Sequence, residues 1–176
     1  MATNLEIERK FLLKSLPVRI EAKDSILIEQ LYTKNNGIWE RVRSWQSTKT
    51  GKKKWIHTIK ANMGKGINME DEKLITEKEF NDFRSNCFKA GVESRQINKV
   101  RHIYPDGKLY WEVDEFKSGY SLIVAEIEIP QKDYKVNIPT YISDLILLEV
   151  TGLKQFSNRN LSLKISDNDR IQFKIK

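Results

Sequence analysis

The 176-residue chain contains only one cysteine, Cys87, and only two histidines, His57 and His102. A single cysteine cannot form an internal disulfide bond, and the chain has too few thiol and imidazole groups for a structural zinc site. Any bound metal is therefore expected to be a hard cation with oxygen ligands, such as Mg²⁺ or Mn²⁺.

Long hydrophobic segments are also missing. The longest apolar runs, residues 121–125 and 145–150, are much shorter than the roughly 20 residues that a membrane-spanning helix needs. Residues 1–20 carry charged side chains where a secretory signal would have an apolar stretch. We therefore expect a cytoplasmic protein without a membrane partner. A hydrophobic content of 39% predicts one globular domain over residues 1–176.

Positive charge exceeds negative charge, with a net charge of +7 and an isoelectric point near 9.4. This excess predicts an anionic partner, and nucleic acid is one candidate. Four of the lysines surround Gly51 and fit an exposed hairpin turn: Lys49, Lys52, Lys53 and Lys54. The remaining bases alternate singly with carboxylates, which favours a compact polyphosphate bound with metal over a nucleic-acid duplex.

Polar side chains recur at every second residue in several strand-like segments. A β-strand over residues 6–10 would place Glu6, Glu8 and Lys10 on one face. The same spacing recurs at Arg41 and Arg43, Thr58 and Lys60, Glu70 and Glu72, Lys99 and Arg101, Glu112 and Asp114, and Glu126 and Glu128. Because the signs of the charges are sorted by strand, we expect an antiparallel barrel with a charged interior. A flat sheet with one solvated face is the alternative.

The turn and capping signals divide the chain into an α+β pattern. Strands are predicted over residues 4–13, 26–33, 38–45, 54–61, 67–75, 96–104, 108–116 and 122–129. The sequence Thr76-Glu77-Lys78-Glu79 is a capping box, which predicts a helix ending near Gly91. Residues 138–148 are predicted to form a second helix.

The sorted charges suit phosphoryl chemistry. Carboxylate pairs can hold Mg²⁺ or Mn²⁺ in oxygen coordination, usually shared with substrate phosphates. Arg41 and Arg43 can fork onto phosphate oxygens, and lysines can act as point charges along a phosphate chain. Since phosphoryl transfer needs mainly positioning and charge neutralisation, no nucleophilic side chain is required, and we expect metal-activated water to attack.

The segment Glu6-Ile7-Glu8-Arg9-Lys10 resembles the ExExK signature of the CYTH superfamily, the triphosphate tunnel metalloenzymes. Later segments resemble the other motifs of that superfamily in order: Arg41-Val42-Arg43, Thr58-Ile59-Lys60, Glu70-Asp71-Glu72, Lys99-Val100-Arg101, the Asp114 strand, Glu126-Ile127-Glu128, and Glu149-Val150-Thr151 followed by Asn158. An ordered set from residue 6 to residue 158 is much more specific than one charged strand.

The resemblance implies a closed eight-stranded antiparallel β-barrel, or tunnel, with a polar charged lumen and helices packed outside. The implied metal ligands are Glu6, Glu8, Glu126, Glu128 and Asp114, and further lumen carboxylates are Glu70, Glu72 and Glu112. The implied phosphate-binding residues are Lys10, Arg41, Arg43, Lys60, Lys99 and Arg101.

The resemblance also implies that Tyr32 pairs with Lys10 to orient or activate water, so that both would be catalytic. Packing within the barrel is the alternative role for Tyr32. One position departs from the superfamily, which often has arginine where this chain has Asn68. The loss of a phosphate-binding charge there would alter substrate choice unless Lys65 or Lys73 replaced it.

These observations predict metal-dependent hydrolysis of a small-molecule triphosphate, most of all inorganic tripolyphosphate, by a monomer or homodimer. Adenylyl cyclase and thiamine triphosphatase activities are alternatives within the superfamily. A noncatalytic polyphosphate-binding or RNA-binding module is the alternative of a different class. His57 and His102 alternate out of phase with Lys60 and Arg101, so we expect them on the outer face. We expect the four tryptophans to pack.

Overall fold

The computed structural model describes residues 3–35, 37–89, 91–117 and 122–164. Eight strands follow in chain order: β1 (Thr3–Leu13), β2 (Asp24–Asn35), β3 (Ile38–Ser47), β4 (Lys53–Gly64), β5 (Ile67–Ile75), β6 (Ser94–Asp106), β7 (Leu109–Phe116) and β8 (Ile123–Glu128). All of their pairings are antiparallel, in the order β6-β2-β3-β4-β5-β1-β8-β7. Pairing of β6 with β7 closes the circle, which confirms the predicted barrel.

Two short strands are added to this barrel. β9 (Ile146–Glu149) pairs with β1 through residues 11–13, and β10 (Leu163–Lys164) pairs with β6. β1 pairs with β5 only through residues 3–7, so its edge beyond that point is free to accept β9. The backbone groups of β1 are therefore hydrogen-bonded over most of its length.

The predicted helix over residues 138–148 is wrong for most of its length. Only α2 (Thr140–Ser143) is α-helical, and Ile146–Glu149 forms β9 instead. The free edge of β1 offers hydrogen-bond partners to Ile146 and Leu148, and this tertiary pairing overrides local helical periodicity.

The other predicted helix, α1 (Glu77–Cys87), is present and ends four residues before Gly91. Thr76 Oγ1 accepts a hydrogen bond from the Glu79 backbone N–H, and the Glu79 carboxylate accepts one from the Thr76 N–H. The capping box therefore forms as expected. α1 buries Phe80 and Cys87 against Leu31 and Val42 on the outer face of β2 and β3.

A larger apolar cluster covers the outer face of β1, β7 and β8. Phe11, Trp111 and Ile127 pack there with Ile142 of α2. Helices therefore lie outside these two parts of the barrel, as predicted. Ile59 of β4 lies outside these two clusters and is 40% exposed. Within the described ranges, no helix is long and apolar enough to cross a membrane.

The barrel interior carries the predicted charged side chains in one part and apolar side chains in another. Ile97, Phe116 and Val124 lie in register with Gln30, Lys99 and Asp114, respectively, so they share the inner face with polar side chains. These apolar residues contact Tyr32 and Leu161. Leu161 belongs to α3 (Asn158–Leu161), so this short helix packs against the interior.

Candidate active site in the barrel lumen

Strand register brings the predicted site residues onto the inner face of the barrel. Lys10 of β1 is opposite Glu126 of β8, and Glu8 is opposite Glu128. On the other side, Arg101 of β6 is opposite Asp114 of β7. Bases lie mainly on β3 and β6, on the two sides of β2, whereas carboxylates lie mainly on β1, β5, β7 and β8. The lumen therefore has a mainly basic side and a mainly acidic side.

A continuous network of ion pairs links four strands of this lumen. Lys10 Nζ lies 2.8 Å from Glu126 Oε1 and 3.3 Å from Glu8 Oε1. Arg101 Nη2 donates to Glu126 Oε2 at 3.0 Å, and its Nε and Nη2 donate to the two oxygens of Asp114 at 2.7 Å. Glu126 therefore connects a lysine of β1 with an arginine of β6.

Two further contacts extend this network. Arg101 also pairs with Glu112, and Lys99 Nζ donates to Asp114. Asn158 of α3 lies beside Lys99, with Oδ1 3.5 Å from Nζ. The side chains of Lys99 and Asp114 are fully buried, so they interact in a medium of low polarity.

This environment changes the pKa values of the three central groups in different directions. Burial opposes the charge of Lys10, but Glu126 and Glu8 outweigh it and raise the lysine pKa. Burial also opposes ionisation of Glu126, but Lys10 and Arg101 outweigh it and lower the carboxyl pKa. Burial and the neighbouring Arg101 lower the pKa of Lys99 to about 8, although Asp114 and Glu126 act against this. Lys99 is therefore a cation whose charge is poorly compensated.

A second network occupies β3, β4 and β5. Arg41 Nη2 donates to Thr58 Oγ1 and to Glu72 Oε1, both at 3.1 Å. Thr58 Oγ1 donates to the same Glu72 oxygen at 2.8 Å, and Arg43 Nη2 lies 3.4 Å from it. Glu70 lies 3.7 Å from Arg41. One carboxylate thus restrains both arginines.

The two arginines of this network differ in pKa. Burial lowers the pKa of Arg41, but Tyr32 and the carboxylates of Glu70 and Glu72 outweigh it, so the pKa is raised. Burial and the adjacent Arg41 lower the pKa of Arg43 to about 10, because Glu72 compensates only in part. In addition, Nε of each arginine is buried without a hydrogen-bond partner among the described residues. Both guanidinium groups therefore retain donor capacity for an anion.

The predicted metal-binding carboxylates lie on three strands, and several of them contact bases. Glu6 and Glu8 lie on β1 and Glu128 lies on β8, and Glu8, Glu126 and Asp114 each contact a lysine or an arginine. Among the residues that the structure describes, no group of three or more Asp, Glu, His or Cys side chains could hold a metal ion. Asn68 Nδ2 lies 3.5 Å from Glu6 Oε2. Lys60 lies in β4, and its side chain is outside the described part of the chain.

Lys10 and Tyr32 lie on strands that are opposite each other in the barrel, with three strands between them in either direction. Lys10 is held by carboxylates, whereas the Tyr32 hydroxyl accepts a hydrogen bond from Gln30 Nε2 at 3.2 Å. Tyr32 also packs in the apolar cluster of the interior, so the packing alternative describes part of its role. Its joint action with Lys10 stays a prediction.

Sequence reasoning missed Gln30 as a site residue. It is completely buried and lies two residues before Tyr32, at the spacing that places both on the inner face. Extension of the period-2 pattern by one step would have found it. Thr151 was quoted only as part of a motif, yet its Oγ1 accepts from the Lys10 backbone N–H at 3.0 Å. No charge pattern indicates that contact.

The two histidines and Trp111 lie on the outer face of the barrel, where packing predicts them. His57 Nε2 lies 3.0 Å from Glu40 Oε2, and its ring contacts Phe83 of α1 on the outer face. His102 Nδ1 lies 2.9 Å from Ser25 Oγ. Trp111 is fully buried in the outer apolar cluster. These side chains therefore belong to the walls of the barrel.

No protein-family model matches the chain, and no curated protein matches it significantly in sequence. Its fold is similar to several solved structures. The PH1819 protein from Pyrococcus horikoshii is 16% identical, with a TM-score of 0.57, over 73% of this chain and 80% of that chain. HpAC1 from Hippeastrum, a candidate adenylyl cyclase with a dominant triphosphatase activity, is 17% identical, with a TM-score of 0.52, over 72% and 80% of the two chains.

A candidate adenylate cyclase from Bacillus halodurans is 14% identical, with a TM-score of 0.52, over 74% of this chain and 83% of that chain. At these identities the similarity shows a shared fold. That fold is consistent with the triphosphate tunnel barrel that the sequence motifs imply.

Proposed function

We propose that this protein is a divalent-metal-dependent triphosphatase that hydrolyses inorganic tripolyphosphate in the barrel lumen. The observation that carries the proposal is the placement of largely buried bases on the two strands that flank β2: Arg41 and Arg43 on β3, and Lys99 and Arg101 on β6. An anion that reaches both strands would reduce the repulsion between these like charges. The similarity of the fold to HpAC1, which has a dominant triphosphatase activity, supports the same class of reaction.

In this proposal, the basic side chains of the lumen bind the phosphates. Arg41 and Arg43 each retain an Nε donor, so each can direct N–H groups to phosphate oxygens. Lys99 and Arg101 lie across β2 from them and would bind the other phosphates as buried charges. A chain of several phosphates, rather than a single one, matches this spread of cations.

In this scheme Lys10 stays protonated and acts as a hydrogen-bond donor. Its raised pKa keeps it protonated at neutral pH, so it cannot accept a proton from water. It would instead donate a hydrogen bond to the phosphate oxygens on which negative charge develops. Tyr32, whose hydroxyl is fixed by Gln30, would contact the phosphate from the opposite strand.

The chemistry of the carboxylates fits a hard divalent cation if the substrate supplies the remaining ligands. Mg²⁺ is commonly bound through one or two carboxylates together with substrate phosphates. Glu8 and Glu128, which are opposite each other in register, would hold it, and Glu6 lies two residues from Glu8 on the same strand. When bound, such an ion supplies Lewis-acid stabilisation and an activated water nucleophile.

The proposal is tested by release of phosphate and pyrophosphate from tripolyphosphate, ATP and thiamine triphosphate, each with Mg²⁺, Mn²⁺ or EDTA. Metal-dependent release from tripolyphosphate is expected, and Lys10→Ala is expected to abolish it. Lys14→Ala, which removes an exposed lysine beyond the end of β1, is the matched control and should retain activity. Full turnover of Lys10→Ala would contradict the site.

Adenylyl cyclase activity is the second candidate, because HpAC1 and the Bacillus halodurans protein are candidate cyclases of the same fold. Production of cyclic AMP and pyrophosphate from ATP would favour it over hydrolysis. A binding module would instead bind RNA or polyphosphate without turnover. RNA binding would weaken steeply with salt and would need little Mg²⁺.

A further inference from the structure

Gln30 lies at the centre of the base-carrying side of the lumen. It belongs to β2, which separates β3 with Arg43 from β6 with Lys99 and Arg101. Its register partners are Arg43 on one side and Ile97 on the other. An anion that spans the bases of β3 and β6 must therefore pass over the inner face of β2, where Gln30 and Tyr32 lie.

The Gln30 amide makes one described side-chain hydrogen bond, and it is with Tyr32. Its Nε2 donates to the Tyr32 hydroxyl oxygen at 3.2 Å, and its Oε1 has no partner in the described part of the chain. Gln30 is completely buried. A buried acceptor without a partner destabilises the folded state, so folding alone does not explain an amide at this position.

Tyr32 is held at both ends. Its ring packs against Ile97, Phe116, Val124 and Leu161, and its hydroxyl oxygen accepts the amide N–H. Because the oxygen is engaged as an acceptor, the phenolic proton is free to be donated elsewhere. Arg41 is opposite Tyr32 in register, so an anion bound to Arg41 would lie within reach of that proton.

We infer that Gln30 is a positioning residue, which fixes the Tyr32 hydroxyl as a hydrogen-bond donor to a phosphate oxygen of the ligand in the lumen. The inference rests on the proposed function and adds to it a role for a neutral residue between the bases. Tyr32 acts in this arrangement as a donor and not as a base. Gln30 contributes through Tyr32, and the two residues form one unit.

Kinetics of four variants on tripolyphosphate with Mg²⁺ test this unit: Gln30→Met, Gln30→Asn, Tyr32→Phe and the double variant Gln30→Met/Tyr32→Phe. Gln30→Met has nearly the same shape but cannot donate, and Gln30→Asn keeps the amide but shortens its reach. We expect each Gln30 variant to lower kcat about tenfold, with a smaller change in KM. The double variant should be no slower than Tyr32→Phe, because the residues act together.

Stability measurements separate this role from a structural one. Gln30→Met should keep or raise the melting temperature, since it removes an unpaired buried acceptor. Gln96→Met is the matched control: Gln96 is a buried glutamine of β6 that donates to Glu29 at 3.2 Å, and its loss should lower stability and leave kcat unchanged. An unchanged kcat in both single Gln30 variants, or additive losses in the double variant, would overturn the inference.

A readout without turnover keeps the test independent of the proposed function. With ¹³Cζ-labelled tyrosine, the Tyr32 resonance should shift when tripolyphosphate is added in EDTA, and Gln30→Met should reduce that shift. Tyr32→Phe assigns the resonance. If tripolyphosphate shifts the resonance, and Gln30→Met reduces the shift, but tripolyphosphate is not hydrolysed, the proposed hydrolysis is wrong and the inferred role of Gln30 is still supported. If the shift is absent from the wild type, or equal in wild type and Gln30→Met, the positioning unit fails.

Discussion

Lys10 and Glu126 form an ion pair across the β1–β8 ladder, with Nζ 2.8 Å from Oε1 and both side chains at most 10% exposed. The same carboxylate accepts from Arg101 of β6. One glutamate therefore neutralises two bases that would otherwise repel each other in the lumen. This connection makes Glu126 the residue whose loss should most disturb the site.

We predict that Glu126→Gln lowers the free energy of unfolding by about 3 kcal/mol at pH 7, because two buried cations lose part of their compensation. The sign of the pH effect follows from the lowered pKa of Glu126, in which Lys10 and Arg101 outweigh burial. This stabilisation is present above the unfolded-state pKa of about 4.3 and is lost as the pH falls through and below it. Urea unfolding between pH 3 and pH 7 measures it.

The same measurement on Glu149→Gln is the control. Glu149 pairs with Arg9 at 2.9 Å, but its side chain is 42% exposed. Solvent screening should limit its effect to less than about 1 kcal/mol. Equal losses in the two variants would contradict the assigned importance of the buried network.

Anion binding should depend on the ionisation of Lys99. Its pKa is lowered to about 8 by burial and Arg101, so Lys99 loses its proton as the pH rises through that value. Tripolyphosphate affinity in EDTA, measured by calorimetry from pH 7 to pH 9, should fall relative to that of Lys99→Arg, which stays protonated. If the ratio of the two affinities stays constant between pH 7 and pH 9, the protonation state of Lys99 does not affect tripolyphosphate binding, which would contradict the prediction.

Lys99 affects stability with the opposite sign. A base whose folded-state pKa is lowered binds fewer protons when folded than when unfolded. The free energy of unfolding of the unliganded protein should therefore rise between about pH 8 and the unfolded-state pKa of about 10.4. Lys99→Met should lose this rise in stability.

We expect that Gly66 cannot be replaced by a residue with a side chain, both because its φ is positive and because neighbouring atoms leave no room for a Cβ. Its φ is +67°, and a Cβ there would lie 2.7 Å from the Glu8 carbonyl oxygen and 2.8 Å from Thr151 Cγ2. Gly51 has a similar φ of +69°, but nothing lies within 4 Å of its Cβ position. Gly51→Ala should therefore lose about 1 kcal/mol of stability through strain alone.

Gly66→Ala should lose more stability than Gly51→Ala and should also reduce triphosphate hydrolysis, because it displaces the β1 backbone that carries Glu8 and Lys10. Thermal unfolding and kcat of the two alanine variants compare these effects. If Gly66→Ala matched Gly51→Ala in both stability and activity, the backbone near Glu8 would have adjusted to the added Cβ without loss of stability, which would contradict the prediction.

Metal binding should depend on the substrate. The described residues contain no group of three ligating side chains, so we expect one or two carboxylates to share the proposed ion with phosphate. We predict that Mn²⁺, followed by its paramagnetic resonance signal, binds much more tightly with tripolyphosphate present than alone. Glu8→Gln and Glu128→Gln should weaken that binding in the ternary complex. Equally tight binding without tripolyphosphate would point to a preformed metal site.

The period-2 spacing was sufficient to predict the barrel and to place Lys10, Arg101 and Glu126 on one face, because alternation is fixed by strand geometry. It could not predict that Glu126 bridges Lys10 and Arg101, since that contact depends on the register between strands distant in sequence. Nor could it predict which carboxylates contact bases, because spacing counts carboxylates without their basic neighbours.

Apolar residues account for two features that the alternation did not predict. Ile97, Phe116 and Val124 share the inner face with polar residues, and alternation alone cannot distinguish an apolar interior from an apolar exterior. Ile146 and Leu148 fit a helical pattern locally, but the free edge of β1 determines their conformation. Gln30 was missed because a neutral side chain adds nothing to a charge pattern.

The most direct test of the central claim is phosphate release from tripolyphosphate by the wild-type protein with Mg²⁺ or Mn²⁺, compared with EDTA and with Lys10→Ala. The account predicts rapid release that requires both the divalent ion and Lys10. Release that persists in EDTA or in Lys10→Ala, or no release with either metal, would contradict it.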